Sequence, residues 1–315
     1  MSTNTQSQSP TSTSPATVVV GVDGSSRNHS AVAWAKHEAA RRGARLVLVG
    51  ASQDYTPPTP RFSVDYADEL FEDDTRKVLE GVRADLGGAE EDMPIWVGRG
   101  GVQSTMLRAA QRADLIVLGR RGSGAVKRMF VGSNSIAVAG RSPVPVVIVP
   151  DEWDGREGST APIVVGIDRS AKDEEVLTYA FARARDLGVP LIVVHAWQLP
   201  TIYVWSADDV KEWMDEVAEE LKAALEPWKE KYPEVDTMFL PQDANAAMAI
   251  VDAAAIAQLV VLGRHTGPRH LGGFHIGSTT RSVLHHAHCP VAVIPTSAPY
   301  VDPEGDDSDA AMPEF

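Results

Sequence analysis

One cysteine, Cys289, stands among 315 residues, so no disulfide can close within the chain, which fits a reducing compartment. Cations are also short: 29 Lys and Arg against 43 Asp and Glu leave a formal net charge of -14. A chain without a cationic footprint is not built to grip nucleic acid. No apolar run approaches membrane-spanning length, so no membrane is expected as a partner. Residues 1–16 hold neither a cation nor an apolar stretch, so neither a signal peptide nor a presequence is expected, and the location expected is the cytoplasm. Two familiar phosphate signatures are missing as well. There is no GxxxxGK[ST], hence no P-loop lysine or metal-holding hydroxyl, and no GxGxxG after the first strand, which disfavours a nicotinamide or flavin dinucleotide.

What is present is a repetition. "VVVGVDGSS" near Ser26 returns as "IVVGIDRSA"; Asp23 matches Asp168, Ala51 matches Ala196, Gly132-Ser133 match Gly277-Ser278 and Pro145 matches Pro290, all 145 residues apart. A duplication in register predicts two copies of one folding unit. The length suits two domains, each of about 100 to 200 residues. Their expected bounds are 17–150 and 162–297, joined by the polar, aperiodic stretch 151–161. Residues 1–16 and 298–315 read as disordered tails. The second carries six carboxylates and no cation between Asp302 and Glu314.

Within each copy, short β-branched runs alternate with longer stretches of helical period. The order βαβαβαβαβ with apolar strands predicts a five-stranded parallel sheet covered by helices on both faces. Right-handed crossovers make it a doubly wound, Rossmann-like α/β domain, here in tandem. Ligands of such sheets lie beyond the carboxyl ends of the strands, where the winding reverses. Asp23 and Asp168 end the first strands there, and Gly119 and Gly263 the fourth.

After the fourth strand of the first copy comes "GRRGSGAVKRMFVGS", in which Gly119, Gly122, Gly124 and Gly132 precede Ser133 at a helix start. Glycines let backbone amides approach an anion, and a helix start presents unpaired N–H groups. The run reads as a phosphate cradle. Arg120, Arg121, Lys127 and Arg128 add four cations without an acid, which in so acidic a chain predicts a locally positive loop.

The pattern Gly119-x2-Gly122-x9-Gly132-Ser133, together with Asp23, resembles the ATP-binding motif of universal stress proteins, and the chain resembles their tandem actinobacterial form. The resemblance covers about residues 17–150 and 162–296. It implies an ATP-binding stress regulator whose nucleotide occupancy sets conformation or partners, with Mg2+ as a possible companion of the nucleotide, a protein partner of unknown identity, and a homodimer. By the same mapping the nucleoside lies near Gly21, Asp23 and Ala51, and the triphosphate on Leu118, Gly119, Gly122, Gly132, Ser133, Asn134 and Ser135. A second site maps to Asp168, Ala196, Gly263, Gly267, Gly277, Ser278, Thr279 and Thr280. Its first turn is one residue longer, because Gly263 and Gly277 are 14 positions apart where Gly119 and Gly132 are 13. Slow ATP hydrolysis and a nucleotide-independent interaction module remain as alternatives. No catalytic residue is assigned, since the glycine loop offers no carboxylate to position water.

Six of nine histidines fall between His265 and His288, yet without the paired spacing that a metal site favours. His285 and His286 suit a helix C-terminus, while His265 or His270 stands where the first loop has arginines. Trp213 and Val217 read as the buried face of a helix opened by Trp205; core packing is the expected role of these tryptophans, with contact to an adenine ring the alternative for Trp197. Lys36 and Glu38 read as a solvated helix face. The last strands, "VPVVIVP" and "CPVAVIP", are apolar sheet edges and are expected to pair with each other.

Overall fold

The computed structural model describes residues 15–52, 64–121, 131–154, 159–168, 173–197, 207–264, 276–296 and 312–313. The first repeat runs β1 (Thr17–Gly21), α1 (His29–Arg42), β2 (Arg45–Ser52), α2 (Val64–Asp85), β3 (Ile95–Arg99), α3 (Val102–Ala110), β4 (Leu115–Gly119), α4 (Ser133–Arg141) and β5 (Val146–Val149). The second repeats it: β6 (Ile163–Ile167), α5 (Asp173–Leu187), β7 (Leu191–Trp197), α6 (Ala207–Lys231), β8 (Thr237–Asp243), α7 (Ala246–Ala254), β9 (Leu259–Arg264), α8 (Ser278–His286) and β10 (Val291–Pro295). A three-residue 3-10 turn, Ser26–Asn28, leads into α1. Gly43 ends that helix in the left-handed region at φ 59°, its N–H closing on Ala39 and Ala40 carbonyls.

Each repeat contributes five parallel strands, and the two sets form one ten-stranded sheet in the order β3-β2-β1-β4-β5-β10-β9-β6-β7-β8. Within a repeat the winding reverses between the first and fourth strands, which leaves a crevice above their carboxyl ends. The join is the expected edge pairing. β5 and β10 run antiparallel, with Val147 opposite Ala292 and Ile148 opposite Val291. Each edge strand satisfies the other's ladder groups, so the apolar edges are removed from water.

Helices cover both faces. One core cluster joins α1 with α5, and includes Trp34, Ala35, Phe181 and Leu225; the other lies under α3, α4, α7 and α8, and includes Met106, Val138, Ile250 and Val283. Both span the two repeats. Three expectations are corrected here. Glu38, read as a solvated face, is only 3% exposed, and its carboxylate accepts from Arg41, Arg42 and Arg183, the last from the other repeat. Its apolar-face spacing with Trp34 and Ala35 was the better guide. Met312, read as part of a disordered tail, is 2% exposed and belongs to the second core cluster, where its unbranched thioether fills space among aliphatic side chains. The stretch read as linker begins as packed structure, since Asp151 and Trp153 carbonyls accept from Ser30 Oγ at 2.8 and 3.1 Å.

Candidate functional site

The crevice of the first repeat holds a cavity of about 800 Å³, within the range of small-molecule sites. Gly21 and Asp23 at the end of β1, Ala51 at the end of β2, Leu118 and Gly119 at the end of β4, and Gly132, Ser133, Asn134 and Ser135 at the start of α4 all line it. Every residue expected for that site, Gly122 apart, is thereby gathered around one space. Gly122, with Lys127 and Arg128, lies outside the described residues.

The two ends of the cavity differ. Val49, Ala51, Val102, Met106 and Leu118 make an apolar floor, and α2 contributes Phe71, Thr75 and Val78 as a wall. The other end is polar. Gly132 caps α4 with extended backbone (φ -60°, ψ 141°) and without a side-chain cap. The first backbone bond that α4 returns to its cap is Ile136 N–H to Gly132 C=O at 3.2 Å, so the amides of Ser133, Asn134 and Ser135 precede the helical ladder. An anion there meets N–H donors and the positive end of the helix. Ser135 Oγ is turned away, donating to the Gly119 carbonyl at 2.9 Å, so only its backbone is available to a ligand.

Close packing explains the strand-end glycines. A Cβ on Gly21 would lie 2.7 Å from Leu118 Cδ2, and one on Gly119 would lie 3.2 Å from the Arg121 carbonyl. Asp23 closes a local turn, Oδ1 accepting from Ser25 N–H at 3.0 Å and Ser25 Oγ at 2.8 Å. Asn28 was not anticipated. It is buried beside the cavity, its Nδ2 donates to the Gly21 carbonyl at 3.0 Å, and its Oδ1 has no partner among the described residues. A buried acceptor left open at a cavity wall fits a ligand that brings a donor. The α2 wall was missed too, because Phe71, Thr75 and Val78 carry no motif; their spacing along one helical face was the available signal.

Of the four cations expected in the positive loop, the two described ones are paired with carboxylates. Arg120 pairs with Glu152 at 2.6 Å, and Arg121 with Asp151 at 3.3 Å. Burial lowers the Arg120 pKa, against the pull of Glu152, and burial raises that of Asp151 despite Arg121 beside it. Arg120 also reaches the other repeat, donating to the Ala287 carbonyl at the end of α8 at 3.1 Å. The same helix end holds the cradle itself: Val131 N–H donates to His285 Nδ1 at 3.0 Å, and Gly132 N–H to the Arg120 carbonyl at 2.8 Å. Arg264 mirrors Arg120, donating to the Ser142 carbonyl at the end of α4 at 2.9 Å, and burial lowers its pKa.

In the second repeat, Asp168 is exposed beyond β6, Ala196 is half-buried on β7, and Gly263 is buried in β9. Gly277 caps α8, again without a side-chain cap; Ser278 is exposed, Thr279 half-buried, and Thr280 Oγ1 donates to the Gly263 carbonyl at 3.2 Å, as Ser135 does to Gly119. Gly267, His265, His270 and Trp205 lie outside the described residues. The end of the second strand differs from that of the first repeat. His195 and Trp197 replace Gly50 and Ser52, their rings 5.6 Å apart, and Trp213 packs edge-on to Trp197 at 5.2 Å. Val217 is buried and Trp213 half-buried on α6, while Trp197 packs against the Trp213 ring and its buried Nε1 has no partner among the described residues.

Among the described residues no helix is long and apolar enough to cross a membrane. The family model for the universal stress protein family matches residues 16–150 and again 160–295. A universal stress protein of Mycobacterium tuberculosis, Rv2005c, is 32% identical over 286 residues, covering 88% of this chain and 96% of its own, and Rv1996 of the same species is 29% identical over 300 residues, covering 88% and 94%. The fold is that of a solved universal stress protein from Archaeoglobus fulgidus, with a TM-score of 0.65 at 18% identity, covering 89% of this chain and 98% of that one. With both repeats matched by the family model and a relative sharing nearly its full length, the chain belongs to the universal stress protein family, in tandem-domain form.

Proposed function

We propose that the first repeat binds ATP in the crevice between β1 and β4, and that nucleotide occupancy sets the conformation or partners of a stress-response regulator in the cytoplasm. The observation that carries this is the coincidence of a nucleotide-sized cavity with nine of the ten expected residues, and with an uncapped helix start at its polar end. The nucleoside takes the apolar floor beside Ala51 and Leu118, with Asp23 and Asn28 Oδ1 as acceptors for its hydroxyl or amino donors. The phosphates take the amides of Ser133, Asn134 and Ser135, where bound anion replaces water at donors that no side chain caps. Mg2+ enters with the phosphates rather than on a site of its own. The second repeat holds a weaker site at Asp168, Gly263 and Gly277-Ser278, and the protein works as a homodimer.

Denaturing the freshly purified protein and identifying what it releases tests the assignment. ATP recovered at up to one per chain supports it. ADP alone, with slow phosphate release from added ATP, makes the protein a slow hydrolase, and no nucleotide, together with no calorimetric ATP binding at millimolar concentration, overturns it in favour of an interaction module.

A further inference from the structure

The sheet joins its halves at Val147 and Ala292, which are equivalent positions of the repeat, 145 residues apart. A pseudo-twofold axis therefore passes between them. On the face covered by α1 and α5 the same relation recurs, because Glu38 and Arg183 are also 145 apart and are joined as an ion pair, both buried. A residue on a twofold axis meets its own copy when identical units pair. Here that one position carries a carboxylate in the first repeat and a guanidinium in the second.

The flanking positions are unequal in the same sense. Arg42 of the first repeat lies beside Tyr179 of the second, whose phenol burial pushes up to about 12 against the pull of that guanidinium. On the other side of the axis the equivalents are Leu187 and Trp34, and both pack in the core cluster that crosses the seam. One flank is thus polar and the other apolar. Pairing two first repeats would set Glu38 against Glu38 and Arg42 against Trp34. Pairing two second repeats would set Arg183 against Arg183.

We propose that positions 38 and 183 form a charge code that commits this face of each repeat to the other repeat, and bars association of like with like. The partner it fits is a second repeat presented to a first, whether from the same chain or exchanged from another copy. Like charges brought together without water act as the repulsive half of the specificity. Arg41 and Arg42 also point at Glu38, so this carboxylate offsets three guanidinium groups and is the more sensitive member. The inference is independent of nucleotide binding.

Full-length Glu38→Arg, Arg183→Glu and the double exchange test it, read by thermal unfolding and by light scattering behind size exclusion. Glu38→Arg should unfold about 10 °C lower and depart from the native hydrodynamic size, as expected when a buried pair is broken. Arg183→Glu should lose less, since Arg41 and Arg42 remain. The double exchange rebuilds the pair with its charges reversed and should recover at least half the loss. Glu38→Gln, which keeps shape without charge, guards against simple misfolding and should fall between the native protein and Glu38→Arg. The proposal is overturned if Glu38→Arg keeps the native midpoint and size, or if the double exchange is no better than Glu38→Arg alone.

Discussion

The two repeats share strand order, helix starts and the hydroxyl that ties the fourth helix to the fourth strand, yet among the described residues they differ at the end of the second strand, where the first repeat has an open apolar floor and the second has aromatic rings. In the first, Gly50 lets β2 run so close to α2 that an added Cβ would lie 2.6 Å from Thr75 Cγ2. In the second, His195 occupies the matching position, bonded through Nδ1 to the Ile167 carbonyl at 3.1 Å, and Trp197 and Trp213 fill the space beyond it. A shared backbone plan therefore sets the crevice in each repeat, while side-chain volume at two or three positions sets how much space it leaves. Arg120 and Arg264 both serve the seam between repeats, so the difference between the two crevices lies in the aromatic cluster.

Three experiments break or sharpen that comparison. The largest effect is expected from Gly132→Asp. The position already has N-cap geometry, with ordinary van der Waals distances for a Cβ, so an Asp there should cap α4 and raise stability by roughly a few tenths of a kcal/mol. The same carboxylate occupies the anion position, so ATP affinity of the first site should fall about 100-fold or more. Loss of stability, or retained ATP binding by calorimetry, would remove the cradle from the account.

Next comes Trp197→Ser, which gives the second repeat the residue of the first. In the Gly132→Asp background, where only the second site remains, this change should tighten ATP binding about tenfold, roughly 1.4 kcal/mol. No change, or a weaker site, would mean that Trp197 is a ligand contact and not an obstruction.

The smallest effect concerns Cys289, which stands where the first repeat has Val144. Burial pushes its thiol up to about 12. The raised value favours the neutral thiol in the folded state, so its contribution is intact below about pH 9 and is lost as pH rises toward 12. At pH 10 the loss is about 1.4 kcal/mol. Cys289→Val should flatten the alkaline limb of a stability profile by that amount, and native protein at pH 8 should resist iodoacetamide until denatured. Labelling at the rate of a free thiol would refute the burial.

Much of this was legible in the sequence for a physical reason. Strands buried on both faces read as apolar runs, and the 145-residue offset repeats every strand end, so fold, tandem plan and the strand-end half of the cavity followed from local pattern. The residues that escaped act across distance in the chain. Phe71 and Val78 look like any helix surface until β2 is placed beneath them. Glu38 looks solvated until α5 brings Arg183 to it, and Arg120 looks like a phosphate ligand until the Ala287 carbonyl and Glu152 claim it. Comparing charges at equivalent repeat positions would have exposed the first of these, because opposite signs at one position of a duplication point to a meeting on its axis.

Helix α8 has two ends with two addresses. Its first turn is tied to the second repeat, Thr280 Oγ1 donating to the Gly263 carbonyl, while its last turn holds His285 and Ala287 against Val131 and Arg120 of the first. Nine residues of helix make a strut of about 13 Å, stiff over that length, with a lever at each end. A displacement of α8 along its axis would carry with it the carbonyl and imidazole that hold Arg120 and Val131, so the duplication left the two repeats joined by a shared strut as well as by a shared sheet.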